Sequence, residues 1–294
     1  MVQSFTVEYF LLTLAVVTVA LPILAARLNF PLLQVCARWV RWFFFAALFA
    51  FFMQAFEVSF RPAWVHVLTG FALWFVVETG YNYIAIKALN QSDLPLFPTF
   101  RENREGDEWP ADRQFIDLKD WLKENSFKRI AALKAELFVG AVLRASIYES
   151  EDKLTRVQIL FVPKRQEGVN ACYTIQNLAA SGQRIITDNQ FLPYGGYYPE
   201  EWKLCRKPLI GSLKGLMRLH RRRMIQSKIV PTAFEEDALE QLKDQQRILE
   251  RLNTEVGFLV PRPRQEEEGK FTYEGRYRLW KEMWLLAYLG KSVT

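Results

Sequence analysis

The sequence predicts a membrane protein in three stretches. Three N-terminal transmembrane α-helices occupy residues 1–89, a linker follows over 90–110, and a cytosolic α+β domain fills 111–294, built on an antiparallel four-stranded meander with flanking helices. Three observations carry that prediction. Charge is split: residues 1–89 hold five basic and three acidic side chains, against 33 and 29 in the remaining 205. Apolar runs of about 20 residues, enough to cross about 30 Å of hydrocarbon, fall in that first third. Beyond it, strand-like alternation and helical spacing come in blocks, with a helix first, strands next and helices last, which reads as α+β.

The spans are read over 5–26, 42–60 and 63–85. The first has only Glu8 charged, near its start. Residues 1–10 lack Lys and Arg, so a retained anchor is expected rather than a signal peptide, which needs a basic start. Lys and Arg in short loops set orientation. Arg27, Arg38 and Arg41 fall between spans one and two, Arg61 alone between spans two and three, and Lys87 opens the charged region after span three. The N-terminus is therefore expected outside, and the C-terminal domain in the cytoplasm, of a multi-pass plasma (inner) membrane protein. Trp39, Trp42, Trp64, Tyr81 and Tyr83 are placed near the interfaces, as aromatic belts are.

Glu78 and Asn82 stand one helical turn apart on one face of span three. A carboxylate at that depth is costly and faces protein or water rather than lipid. It serves either a proton or ion pathway or, the favoured reading, a structural pair with Arg38 or Arg41 or a hydrogen bond to a neighbouring helix. The topology is similar to that of small mechanosensitive channels. Their third span is rich in Gly and Ala, whereas here Gly70 and Gly80 sit amid Trp64, Phe71, Trp74 and Phe75, so the similarity stops at topology.

Residues 90–110 carry Pro95, Pro98, Gly106 and Pro110 among dense mixed charge and read as a linker. Phe115, Leu118 and Leu122 then recur at helical spacing within 114–129, with Asp112 as the cap. Residues 136–148 alternate loosely, and 154–163 alternate cleanly, with Val157, Ile159 and Phe161 on one face. Segments 169–178 and 184–188 follow, separated by a polar turn. These are the four strands of the expected meander.

An aromatic loop over 189–202 comes next. Asp188, Asn189, Tyr194, Tyr197, Tyr198 and Trp202 are its candidate partner or ligand residues, because rings flanked by hydrogen-bonding groups can clasp a flat ligand or a peptide. The competing and favoured reading is an ordered loop that covers a sheet edge. In the helix expected over 209–228, Leu213, Met217, His220 and Met224 form the apolar side, so His220 reads as a core residue. Lys214, Arg218, Arg221 and Arg222 lie opposite, with Arg223 and Lys228 nearby, and form the strongest local charge in the chain. Thr232 and Glu235 resemble a capping box for a long amphipathic helix over 234–256, which Gly257 ends. The last helix, 273–289, aligns Tyr273, Tyr277, Trp280, Trp284 and Tyr288 on one stripe. It is too short to span a membrane and is expected to be buried against the domain, with an interfacial position as the alternative.

Catalytic signatures do not assemble. Cys36, Cys172 and Cys205 form no CxxC pair, which argues against a disulfide framework, and His66 and His220 are the only histidines, so no metal site is expected. Gly290-Lys291-Ser292 lacks the first glycine of a phosphate-binding loop. A Ser150-to-Lys153 match to SxxK lies in a turn without supporting motifs. No catalytic residue and no cofactor is assigned. The expected function is a non-enzymatic membrane-anchored scaffold or sensor. Its cytosolic domain would bind an unknown protein partner, and its basic helix would be held to the anionic lipid head groups of the bilayer. The alternatives are an oligomeric transporter or channel component using Glu78, which requires a homo-oligomer, and a membrane-tethered nucleic-acid binder. Nucleic acid is disfavoured because the soluble part nets only a few positive charges.

Overall fold

The structure, a computed structural model, describes residues 2–28, 30–106, 109–138, 141–163 and 168–293. Three helices come first: α1 (Val2–Leu28), α2 (Pro31–Ala55) and α3 (Ala63–Gln91). All three are long and apolar enough to cross a membrane. The second differs from the expected 42–60: it starts at Pro31 and ends at Ala55. Proline is favoured in a first turn, where its missing N–H has no intrahelical partner to lose. Arg38 and Arg41 interrupt the apolar run but not the helix, because arginine is a good helix former and both side chains are exposed. Gly70 lets α3 close on α2: a Cβ there would stand 3.0 Å from the Ala46 Cα.

The remaining elements are β1 (Arg101–Glu102), α4 (Arg113–Glu124), β2 (Phe127–Phe138), β3 (Ala141–Ser150), β4 (Thr155–Pro163), β5 (Val169–Ala179), β6 (Arg184–Asp188), β7 (Trp202–Arg206), α5 (Leu213–Ser227), β8 (Pro231–Thr232), α6 (Ala238–Glu255), α7 (Gln265–Glu268) and α8 (Tyr273–Trp284), which continues as a π-turn over Leu285–Leu289. Among the described residues, one sheet runs in the order β1-β2-β3-β4-β5-β6-β7, with β8 added on β5. β2 to β6 form an antiparallel meander, but β7 pairs parallel with β6. The expected purely antiparallel four-stranded meander is thus corrected to a larger, mixed sheet.

Burial explains the difference. β3 is covered on both faces along most of its length, so period-two alternation is lost where β2 gives way to β3. No local signal marks β7, which follows a ring-rich stretch and has no hairpin turn. A parallel neighbour needs a connection of about a dozen residues or more, and the aromatic loop is that connection. The helix expected to run to 129 stops at Glu124, and Phe127 opens β2. Asp112 occupies the N-cap position without a side-chain cap bond. The expected capping box also gives way: Thr232 pairs with Leu178 in β8, and Asp237 caps α6 through Leu239 N (2.9 Å) and Glu240 N (3.3 Å).

The sheet lies between helices. Phe115, Leu118 and Leu122 of α4 and Leu213, Leu216 and Met217 of α5 pack on Val157, Ile159 and Ile175. On the other face, Ala238 of α6 packs near Leu133, Ala135, Leu143 and Ile147. A buried arginine ties α6 to the sheet: Arg156 donates to Glu149 (2.7 Å), Gln241 (2.9 Å) and the Glu236 carbonyl (2.7 Å).

A third cluster joins α3 to the C-terminal part of the chain. Ile86 packs with Phe258, Leu259, Phe271 and Leu279. Buried Asn90 accepts the Phe271 N–H at 2.6 Å through its side chain and the Lys270 N–H at 3.1 Å through its carbonyl. Lys270 Nζ then donates to the Leu94 carbonyl (2.6 Å), the Ser92 hydroxyl (3.1 Å) and the Leu89 carbonyl (3.3 Å), satisfying the end of α3. Further along α2 and α3, the C-terminal part of the last aromatic stripe packs against apolar helices rather than against the sheet, while Tyr273 and Tyr277 are exposed. Trp39 Nε1 donates to the Tyr288 carbonyl (2.8 Å), and Trp74 Nε1 reaches its hydroxyl (3.4 Å). Trp284 stacks on Tyr288 (4.7 Å) and meets Phe75 (5.0 Å) and Trp42 (5.6 Å). Trp42, read as interfacial, is a buried ring midway along α2.

Candidate functional site

The aromatic loop spends most of its polar groups on itself. Asp188, at the end of β6, is 2% exposed and takes a two-pronged ion pair from Arg206 of β7, at 2.8 and 3.0 Å. Arg206 also donates to the Tyr198 hydroxyl (2.9 Å) and to Gln190 Oε1 (3.3 Å). Its Nη1 has no hydrogen bond among the described residues and faces Glu282 of α8 at 4.0 Å. Burial pushes the Tyr198 phenol above its ordinary range, with Arg206 pulling the other way. Glu282 is 1% exposed and accepts from Ser292 Oγ (2.7 Å) and Val293 N (2.6 Å), folding the C-terminal residues over the pair.

Asn189 accepts from Tyr173 N (2.7 Å) and donates to the Ile210 carbonyl (3.0 Å). Tyr197 is gripped as a strand would be: Asn253 accepts its N–H (2.7 Å) and donates to its carbonyl (2.8 Å). Arg278 lies 3.8 Å from the centre of the Tyr197 ring and donates to the Gly195 carbonyl. Gly195 needs its positive φ of 69° there, where a Cβ would also meet the Arg278 backbone at 2.9 Å. Tyr194 packs against Phe97, Tyr198 and Phe258, its hydroxyl without a partner among the described residues. What stays open is a shallow cleft of about 350 Å³ lined by Tyr197, Tyr198, Trp202, Lys203 and Arg278. Arg206, Glu282, Asn253 and Arg278 were missed by sequence reading. They sit between 56 and 83 residues from some of their partners or inside a strand that no turn announces, and no local pattern marks them.

The basic helix divides in two. Arg223 is half-buried and structural: it donates to the Ile186 carbonyl (2.6 Å), Thr187 Oγ1 (2.6 Å) and the Lys203 carbonyl (2.7 Å). Lys214, Arg218, Arg221, Arg222 and Lys228 are exposed, and among the described residues none makes an ion pair. Lys214 lies over Trp121 at 5.9 Å. Ile225 and Val230 stand 78% and 77% exposed beside Arg221, Arg222 and Lys228. The helix starts beside Pro208 and Leu209, which share a cleft with α2 and α3. It then runs about 22 Å, past Thr187 and Ile186, to β8 at the Leu178–Ala179 end of β5. Its cationic end therefore lies away from the apolar helices.

His220, 2% exposed, is held by an oriented chain. Asn177 Nδ2 donates to the Leu154 carbonyl (2.8 Å), so Asn177 Oδ1 accepts from His220 Nε2 (2.5 Å). His220 Nδ1 then accepts from Thr187 Oγ1 (2.8 Å), which itself accepts from Arg223. The arrangement satisfies a neutral ring. Burial, and then the Arg223 charge, push its pKa from 6.5 down to about 4. The unfolded chain binds a proton that the folded one refuses, so this stability is present above pH 6.5 and is lost as pH falls from 6.5 toward 4, by up to about 3 kcal/mol. His220→Gln is expected to flatten the pH dependence of the unfolding midpoint across that window, read by denaturant titration of the full chain in detergent. An unchanged slope would show that other groups set it.

Cys172 is buried, and its thiol is pushed up to about 12 by desolvation, so it is an inert packing residue. Asn82 is buried and Glu78 half-buried on α3. The expected pairing of Glu78 with Arg38 or Arg41 does not form among the described residues; Arg41 instead lies over Trp74 at 5.7 Å. Among the described residues no three His, Cys, Asp or Glu side chains gather to hold a metal ion. Comparison with known proteins finds no matching family model, no matching curated protein and no matching solved structure.

Proposed function

We propose that this chain is a multi-pass membrane scaffold, with its N-terminus outside and its α+β domain in the cytoplasm at the plasma (inner) membrane. In this reading α1 to α3 span the bilayer, the joint at Asn90 and Tyr288 fixes the domain upon it, and the cationic end of α5 receives an acidic protein partner. One observation carries it: Arg221, Arg222 and Lys228 are exposed and, among the described residues, unpaired around Ile225 and Val230, at the end of α5 that points away from the apolar helices. Monomeric surfaces usually neutralise or disperse such charge, and apolar side chains rimmed by it mark contact sites. Its direction favours a protein over the chain's own bilayer as what the basic face meets. The orientation rests on Arg27, Arg38, Arg41 and Lys87, which gather at one end of the helices while Arg61 stands alone at the other.

A photo-crosslinking residue at Ile225 in intact cells tests this. A discrete protein adduct is expected, and the double reversal R221E and R222E should cut its yield at least tenfold. Adducts with lipid alone, or a yield indifferent to the reversal, would contradict the reading.

A further inference from the structure

The cleft where α2, α3 and the end of α8 meet has a volume of about 300 Å³ and mixed walls. Arg38, Gln34 and Asn82 supply the polar side; Leu209, Met283 and Leu286 supply apolar surface. Asn82 is the telling residue. It is 7% exposed, it lines the cleft, and among the described residues its amide has no hydrogen-bond partner. Its amide is not sealed in like the buried unpartnered Thr79 Oγ1 but opens on the cleft, where an entering atom can meet it. Arg38 is exposed and makes no ion pair among the described residues. Among the described residues Arg38 is the one charged side chain that lines the cleft, which favours an anion.

Position identifies the source of that anion. Counted from the α2–α3 turn at 1.5 Å per residue, Arg38 and Asn82 stand about 26 Å and about 28 Å along their helices. Hydrocarbon is about 30 Å thick. On the reading that α2 and α3 span a bilayer, the cleft opens at head-group level on the side of the α+β domain. We propose that it holds the anionic head group of a membrane phospholipid. The phosphate meets the Arg38 guanidinium, Asn82 donates to a head-group oxygen, and the first acyl carbons lie on Met283 and Leu286. This explains why apolar and polar walls meet in one cleft, which a free anion does not require.

Native mass spectrometry of the full chain in detergent tests the site, with dihexanoylphosphatidylglycerol, dihexanoylphosphatidylcholine and inorganic phosphate as probes. One-to-one binding of the phosphatidylglycerol is expected, at least tenfold tighter than of the phosphatidylcholine. Arg38→Gln, at an exposed position, and Asn82→Leu should each weaken it at least tenfold, and Arg27→Gln should leave it unchanged. Equal binding by the Arg38 and Asn82 variants would overturn the proposal. So would displacement of the lipid by phosphate at matched concentration, which would mark a free-anion site. Failure of the span reading shows separately, as release of the chain from membranes by alkaline carbonate, whatever the cleft binds.

Discussion

Arg206→Met is expected to destabilise the full chain by about 3–5 kcal/mol, the range for removing one partner of a buried ion pair. The substitution leaves Asp188 and Glu282, 2% and 1% exposed, without the cation that faces both. Tyr198 loses its bond at the same time. Asp188→Asn should cost less, because Arg206 keeps Tyr198, Gln190 and the nearby Glu282. Methionine fills the volume of the arginine stem, so the loss reports charge and hydrogen bonds rather than a cavity. Urea unfolding in detergent, followed by tryptophan fluorescence, measures both. A cost below about 1 kcal/mol for Arg206→Met would mean that the pair contributes little and that the loop is held by its rings alone.

The second large effect is expected at the aromatic joint. Trp284→Ala or Tyr288→Ala removes a ring that touches α2 and α3, and each should cost about 3–5 kcal/mol. Tyr288→Phe keeps the ring and the carbonyl that Trp39 reaches, losing only the Trp74 contact, so it should cost about 1 kcal/mol. The alanine variants should also free α8 from the apolar helices, while the Asn90–Lys270 contacts hold the other end of the joint. Proteolysis near Gly290 in detergent should accelerate in step. A joint that resists proteolysis after Trp284→Ala would show that Asn90 alone suffices.

Much of the architecture was legible because it rests on local periods. Three apolar runs form three helices long and apolar enough to cross a membrane, and the alternation of Val157, Ile159 and Phe161 and the Phe115–Leu122 spacing each report one face of one element, buried as expected. Glycine and aromatic patterns served as well: Gly257 takes a positive φ of 76° after α6. What failed depends on pairing at a distance. β7 is a strand only because β6 lies beside it, and β3 lost its alternation by being covered twice. Arg38 and Arg41 read as the end of a span, yet an exposed arginine can continue a helix. The basic face was visible, but sequence could not separate Arg223, turned inward to three oxygens, from Arg221 and Arg222 beside it. The loop's rings were visible too; that Asp188 is neutralised by Arg206 was not, since 18 residues separate them.

The end of α8 holds the α+β domain to the apolar helices. The most direct measurement is a spin-label distance in lipid nanodiscs between Cys36, exposed on α2, and Val256→Cys, exposed at the end of α6. Cys205→Ser removes the half-buried thiol, and Cys172 is too buried to label. A single narrow distance distribution is expected, broadening when Trp284 and Tyr288 are both replaced by alanine. A broad distribution in the chain that retains both rings would contradict a fixed domain.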